Sequence, residues 1–589
     1  MEYINGKDLY QMFNYGSYNI LKERQYLNEI NVFPVPDSDT GNNLASTMQA
    51  IKQNSKPNES FHYALDSISE SALYGARGNS GVIFAQFCNG LRFASKGKAK
   101  VTILEFANMV NESVDFVYQS ITNPVEGTML TVISDWANSL KNIVKIEIGN
   151  IKYAFEQAFL IARKSLELTK EKLHILKKHD VVDSGALGFV LFLDGINRYY
   201  NEEELDIEEI EQIEVEHIDE HDVDVKFRYC TEGLVMANKS IDQSNLRADL
   251  QSLGDSLIIA KGLNIFRVHI HTDNPEIVYE RLEKYGKIIS QKVDNMKLDI
   301  SLKQNDKKTV IVTDSIGDLP IEYINNNNIV VIPINVQIED VDYFDKLSIN
   351  NRILFDKIAK YKEYPTTATP SIKHIEDVFL KLMEDYDELL VISVASKLSA
   401  TYNLFSEAAK KLSNDNKKIT VIDTLTNSIT EGLLVHKASE LLKSGKTVDE
   451  IVKAIDEAKQ KTKILVCLKT VKYATKSGRL PKVIGAIGNF IGMRPIMSLD
   501  KEGNGEAFSI AFSKKGITKK IIKLVKKEME EHGIERYGLV HCLNPKLLEE
   551  YTTIFTNLIG KEPKYITEVS NATAIHSGIG TVAIGYIRE

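Results

Sequence analysis

Residues Glu202 to Asp224 carry an acidic side chain at more than half of their positions and neither Lys nor Arg, and the chain patterns differently on the two sides of this break. Before it, Phe106, Val110, Val114, Val117 and Ile121 recur three and four apart, as do Ala154, Phe155, Ala158, Phe159 and Ala162. That is the spacing of helices with one buried stripe, and these residues read as core. After it, strand-like runs such as Ile329-Val-Val-Ile and Leu389-Leu-Val-Ile alternate with helical segments, the pattern of a largely parallel sheet. The chain is too long for one core. The 589 residues imply three or four domains, each long enough to bury a core unaided. The break itself reads as a solvated linker, with contact to a basic partner as the lesser alternative. Its charge exceeds the net charge of −9, so the rest of the chain is near neutral or slightly basic; the net charge itself does not favour a general nucleic-acid or anionic-membrane surface.

No run of eighteen apolar residues occurs, and the first residues lack the basic and apolar regions of a secretion signal. Cys88, Cys230, Cys467 and Cys542 lie far apart, which fits a reducing compartment. The expectation is a cytoplasmic protein with peripheral or no membrane contact.

Two loops near the start carry chemistry. In Asn31-Val-Phe-Pro-Val-Pro-Asp37-Ser-Asp39-Thr40-Gly41, two carboxylates one residue apart sit on a loop stiffened by Pro34 and Pro36, and they can point at one hard cation. An Asx-type turn capping the next helix is the competing reading. In Gly75-Ala-Arg-Gly78-Asn79-Ser80-Gly81, glycines recur every third residue at the head of an apolar segment, so backbone N–H groups with a helix N-terminus behind them can take phosphate oxygens. Close helix packing would explain the same glycines. A carboxylate loop for Mg2+ beside a glycine loop for phosphate suggests a nucleotide.

These two stretches, with Pro124-Val-Glu-Gly127-Thr128 and Val182-Asp183-Ser184-Gly185, resemble the dihydroxyacetone-kinase L-type domain in the branch found in bacterial fatty acid kinases. The resemblance implies an all-α helical barrel over residues 1–201 that binds ATP and Mg2+ at one end. It gives Asp37 and Asp39 the metal and a catalytic role. It gives the nucleotide to Asn31, Thr40, Asn43, Gly78, Asn79, Ser80, Gly81, Thr128 and Asp183. Ser38 stands where the family usually has Gly.

Beyond the linker, 202–225, lies an α+β middle domain, 226–300. In Phe266-Arg-Val-His269-Ile-His271, strand alternation puts both imidazoles on one face. With one thiolate they can offer three ligands to Zn2+, although two alternating His also suit a satisfied sheet face. The segment resembles the fatty acid kinase middle domain, which implies a zinc site of Cys230, His269 and His271.

A Lys-rich bridge, 301–308, leads to Thr309-Val-Ile-Val-Thr313-Asp314-Ser315, an apolar strand with polar residues at the edge where open α/β sheets bind ligands. No Walker or Gly-x-Gly-x-x-Gly sequence follows, so a second nucleotide site is not expected. Thr366-Thr-Ala-Thr-Pro, Lys397-Leu-Ser399-Ala-Thr401, Ser477-Gly-Arg479 and His576-Ser-Gly578-Ile-Gly580 resemble the DegV family of fatty-acid-binding proteins. That implies an α/β module of two subdomains over 309–589, with a fatty acid carboxylate on Thr367, Ser399 and His576, and Arg479 in a catalytic position near the tunnel mouth. Ala368, Thr369 and Ala400 depart from the family's usual residues.

Together the resemblances imply a fatty acid kinase fused to its lipid carrier, making acyl phosphate for a downstream acyltransferase of phospholipid synthesis. A kinase for a small polyol or another carboxylate, and a lipid-binding sensor, are the alternatives. Oligomeric state, a homodimer included, stays open.

Overall fold

The helical stretch begins with Asn5, whose side chain accepts from the backbone of Lys7 and Asp8 while Asp8 returns a bond to the Asn5 amide, a reciprocal cap that starts α1. In a computed structural model, residues 3–36, 38–146, 149–203, 225–238, 241–303, 308–478 and 494–589 are described. Asp37, Arg479 and the acidic run from 204 to 224 lie outside them. The chain divides into two units, Met1–Ile300 and Ser301–Glu589.

Ten helices open the first unit: α1 (Gly6–Lys22), α2 (Arg24–Glu29), α3 (Thr40–Asn54), α4 (Phe61–Gly75), α5 (Gly78–Ser95), α6 (Ile103–Ser120), α7 (Met129–Ile146), α8 (Ile151–Lys172), α9 (His174–His179) and α10 (Ser184–Tyr200). Packing neighbours run from α3 through α4, α5, α6, α7, α8, α10 and α1, and α1 returns to α3. Most of the expected stripe residues are buried, Phe106, Val110 and Val117 on α6 and Ala154, Phe155, Ala158 and Ala162 on α8, while Val114 and Phe159 are partly buried. Ile121 falls just past α6 and bridges to Ile258. Edge-to-face aromatics fill the centre, with Trp136 at 6.3 Å from Phe87 and 5.7 Å from Phe189 between ring centroids. Removing one such ring costs about 3–5 kcal/mol.

The same unit ends in an antiparallel sheet of β3 (Tyr229–Ala237), β4 (Gly254–Lys261), β5 (Ile265–Thr272) and β6 (Gly286–Asn295), ordered β4-β5-β3-β6; the only earlier strands among the described residues are β1 (Tyr3–Asn5) and β2 (Lys100–Thr102). Leu234, Ile258, Ala260 and Ile265 of the sheet belong to the same apolar cluster as the helices. Helices and sheet thus share one core.

In the second unit, β7 (Thr309–Asp314), β8 (Ile329–Ile332), β12 (Glu388–Ser393) and β13 (Lys418–Asp423) form a wholly parallel sheet, as the alternation predicts. A three-stranded antiparallel sheet joins β9 (Asn335–Ile338), β10 (Val341–Phe344) and β11 (Thr366–Ala368). A six-stranded sheet holds β14 (Thr462–Cys467), β15 (Arg494–Leu499), β16 (Gly505–Ala511), β17 (Arg536–His541), β18 (Ile566–Glu568) and β19 (Val582–Ile587). It is antiparallel except for β17 with β18, because β19 returns between β14 and β17. No described helix is long and apolar enough to cross a membrane.

Candidate active site and candidate metal centre

The carboxylate loop is shaped from within. Thr40 Oγ1 donates to Asn31 Oδ1 at 2.9 Å, and Asn31 Nδ2 donates to the Val35 carbonyl. Ser38 has a φ of +54°, the left-handed region that explains a preference for Gly there. Asp39 occupies the N-cap position of α3 but makes no side-chain cap hydrogen bond. The turn-capping alternative therefore does not account for its carboxylate.

Both readings of the glycines hold, at different residues. A Cβ on Gly75 would meet Ala50 Cβ at 2.2 Å, and one on Gly81 would meet Thr47 Oγ1 at 2.7 Å, so these two serve close helix packing. Gly78 has a φ of +57° and lies over the Asn43 side chain. Its N–H, expected to face phosphate, donates to Glu232 Oε1 at 2.5 Å. Asn79 Oδ1 is buried without a hydrogen-bond partner.

Asp183 caps α10 through a 2.8 Å bond from the Ala186 N–H, and the same Oδ1 accepts from Met129 N at the head of α7. Burial pushes its carboxyl up to about 6 against those two bonds. A Cβ on Gly185 would lie 2.9 Å from Ser80 Oγ and 3.5 Å from Met129 Cβ. Thr128 Oγ1 donates to the Val125 carbonyl just before α7. The N-termini of α3 and α5 thus meet at Asn43 and Gly78, and those of α5, α7 and α10 meet at Ser80, Met129 and Gly185. Four helix dipoles place their positive ends around one locus, beside Asp39.

Cys230, His269 and His271 are brought together by register. Cys230 on β3 lies opposite His271 on β5, and Glu232 lies opposite His269. All three candidate ligands are buried, with ligand atoms within 4.8 Å of one another. The two Nε2 atoms are 3.3 Å apart, and His269 Nδ1 is 3.7 Å from Cys230 Sγ. Asp255 Oδ1 is 3.6 Å from His271 Nδ1, the orienting partner a metal-binding imidazole normally has. Burial lowers the His271 pKa and favours the neutral ring that binds metal, while it raises that of the Cys230 thiol. A cation would supply the countercharge a thiolate needs there. These donors fit one zinc-like ion.

Sequence reasoning missed Arg267, Glu232 and Lys292. Arg267 is almost fully buried; its Nε donates to the Leu73 carbonyl and its Nη2 to that of Tyr74, closing the end of α4, and Nη1 lies 3.4 Å from Glu232. Burial would raise the Glu232 pKa, but His269, Lys292 and Arg267 hold it well below the usual carboxylate range. The signal was present: Arg267 shares strand parity with both histidines, and Glu232 with Cys230.

In the second unit, Thr367 lies on β11 opposite Val336 of β9, and β9 packs against the helix Asn571–Ser577 that carries His576. Tyr364 Oη donates to the Ile575 carbonyl at 2.6 Å and ties the two elements together. Ser399 Oγ is 2.8 Å from Thr401 Oγ1 and accepts from Thr401 N, the local bonds of a helix start. No described hydrogen bond joins it to Thr367 or His576. Asp314 accepts from Ser393 Oγ and from the amides of Val394 and Ile316, so the Thr313-Asp314-Ser315 edge stitches β7 to the end of β12. Asp318, Asp345 and Glu431 are also buried nearby, a group that no motif announced.

Three domain families match. Residues 34–198 match the DAK2 domain, 226–302 the FakA-like middle domain of fatty acid kinases, and 308–589 the family described as uncharacterised protein, DegV family. An uncharacterised protein of Mycoplasma genitalium is 33% identical over 350 residues, 55% of this chain and 62% of that protein. Another, of Staphylococcus haemolyticus, is 33% identical over 307 residues, 50% of this chain and 55% of that protein. The chain spans little more than half the length of these curated relatives. Among solved structures, DegV, a fatty acid binding protein from Bacillus subtilis, covers 48% of this chain and 99% of its own at 21% identity and a TM-score of 0.44. A DegV lipid-binding protein from Thermotoga maritima covers the same shares at 27% identity and a TM-score of 0.42. This polypeptide therefore joins a DAK2 domain, a FakA-like middle domain and a DegV-family domain in one chain.

Proposed function

We propose that the chain is a fatty acid kinase, which transfers the γ-phosphoryl group of ATP to the carboxylate of a fatty acid held in its own DegV-family domain. The observation that carries this reading is the meeting of four helix N-termini beside Asp39. Such a locus suits a polyphosphate. The closed run of helix neighbours supports reading residues 1–201 as a barrel with the site at one end. Asp39, with Asp37 and Asn31, offers hard oxygen donors that fit Mg2+, which when bound neutralises charge on the β- and γ-phosphates.

The acceptor carboxylate is ionised at neutral pH, so no general base is required. Its oxygen forms a bond to the γ-phosphorus as the bond from that phosphorus to the β–γ bridging oxygen breaks, and ADP leaves with the electron pair. The residues' task is to hold the reactants in line and to neutralise charge. By the resemblance, Thr367, Ser399 and His576 would hold the carboxylate, and Arg479 would have a catalytic role. Burying the acyl tail contributes about 0.8 kcal/mol per CH2. Tethering carrier and kinase raises their effective concentration. Cys230, His269 and His271 would hold Zn2+ and stiffen the sheet that covers the glycine loop.

The test is ADP release from Mg2+, ATP and fatty acid. Asp37→Asn and Asp39→Asn are each expected to abolish it while fatty-acid binding persists. Normal turnover by either variant refutes the metal role.

A further inference from the structure

The middle-domain sheet turns a polar face toward the two loops. Across it, register sets Asp255, His271, Cys230 and Asp294 in one row, and Ile258, His269, Glu232 and Lys292 in the next. Three observations fix where this face lies. Glu232 accepts the Gly78 N–H of the glycine loop. Val35 of the carboxylate loop packs in one apolar cluster with Cys230. Arg267, of the same sheet, donates to the Leu73 and Tyr74 carbonyls just ahead of the glycine loop.

Lys292 is the cross-strand neighbour of Glu232, the residue that takes the Gly78 N–H of the glycine loop. Its Nζ lies 2.5 Å from Asp294 Oδ2, and its side chain as a whole keeps 28% of its exposure. Burial opposes its charge, but Asp294, Glu232, Cys230 and Asp39 hold the ammonium protonated. Arg267 is committed to α4 and Glu232, and Arg77 lies 3.7 Å from Glu232.

We propose that Lys292 is a catalytic residue whose ammonium contacts the γ-phosphate of bound ATP, with Asp294 holding it in position. This rests on the kinase reading above. Lys292 transfers no proton; it offsets the charge spread over the γ-phosphoryl oxygens as the bond to the bridging oxygen breaks and the bond to the carboxylate oxygen forms. The middle domain thereby supplies a reacting group, and the active centre is shared between helices and sheet.

The experiment compares MgATP and MgADP binding by calorimetry in the full-length protein, its Lys292→Met variant and its Lys292→Arg variant, together with ADP release. In Lys292→Met, affinity for MgATP is expected to fall about tenfold, to the level of MgADP, while MgADP binding is kept and kcat drops on the order of 100-fold. Lys292→Arg is expected to restore the preference for ATP. A Lys292→Met protein with the wild-type preference and wild-type turnover overturns the proposal and leaves the kinase reading standing. If Lys292→Met loses MgADP as well, Lys292→Arg decides: a restored ATP preference supports the role, and an absent one overturns it. A wild-type protein that binds MgATP no better than MgADP and releases no ADP overturns both.

Discussion

Ser38 holds the carboxylate loop in a backbone conformation that a side chain makes costly. The sequence marks it as standing in a Gly position, and its φ of +54° gives the reason, since a side chain in the left-handed region costs about 1–2 kcal/mol. Ser38→Gly should recover part of that, the rest being offset by the greater freedom of glycine in the unfolded chain. A small upward shift of the urea midpoint, with Mg2+ binding retained, is the expected result. The single tryptophan, Trp136, lies in the helical core, so its fluorescence reports this unit alone. The same probe tests Asp39. Because its carboxylate caps nothing, Asp39→Asn should change metal-free stability by no more than about 0.5 kcal/mol. It should also erase the stabilisation that added Mg2+ gives the wild type. A variant still stabilised by Mg2+ contradicts the assignment. The Asp-x-Asp spacing drew attention to Asp39 from the residues alone, whereas Cys230, 39 residues from His269, was named only through a family resemblance. Glu232 at least shares strand parity with Cys230, but nothing marked Lys292, because its cross-strand partner lies far away in sequence.

At the level of elements, the sheet face decides more than any motif. Strand alternation is enough to place Arg267 with His269 and His271, but nothing local says that the face would be covered by α4 and α5. The meeting of four helix N-termini is equally invisible in one dimension, since it arises from the packing order of the helices. Arg267 is the element-scale joint: it closes α4 and pairs with the buried Glu232. Arg267→Ala leaves a buried carboxylate short of a partner and should cost about 3–5 kcal/mol. Hydrogen exchange should then show the end of α4 and strand β3 opening together. Loss of protection in α4 alone would mean that the joint does not couple them.

On the scale of the whole molecule, the parallel sheet of the second unit was foreseen from alternating strands and helices, whereas the mostly antiparallel six-stranded sheet was not. Its β19 comes from the end of the chain and pairs with β14 and β17, an order that periodicity cannot encode. The buried carboxylates of this unit set a pH dependence. Burial pushes Asp345 up to about 7, despite the Ser315 hydrogen bond and Lys346 beside it, with Asp318 adding to the rise. Folding therefore takes up a proton between about pH 4 and pH 7, so this contribution to stability is full below pH 4 and is lost as pH rises through 7. Asp345→Asn should flatten that decline in denaturation followed by far-UV circular dichroism; an unchanged slope would assign it to other groups. The central claim joins the two units through one reaction, and trapping its product tests it most directly. Purified protein given fatty acid, Mg2+ and ATP in the presence of hydroxylamine should yield fatty acyl hydroxamate in step with ADP. Hydroxamate absent from every fatty acid tried, with both MgATP and lipid demonstrably bound, would contradict the account.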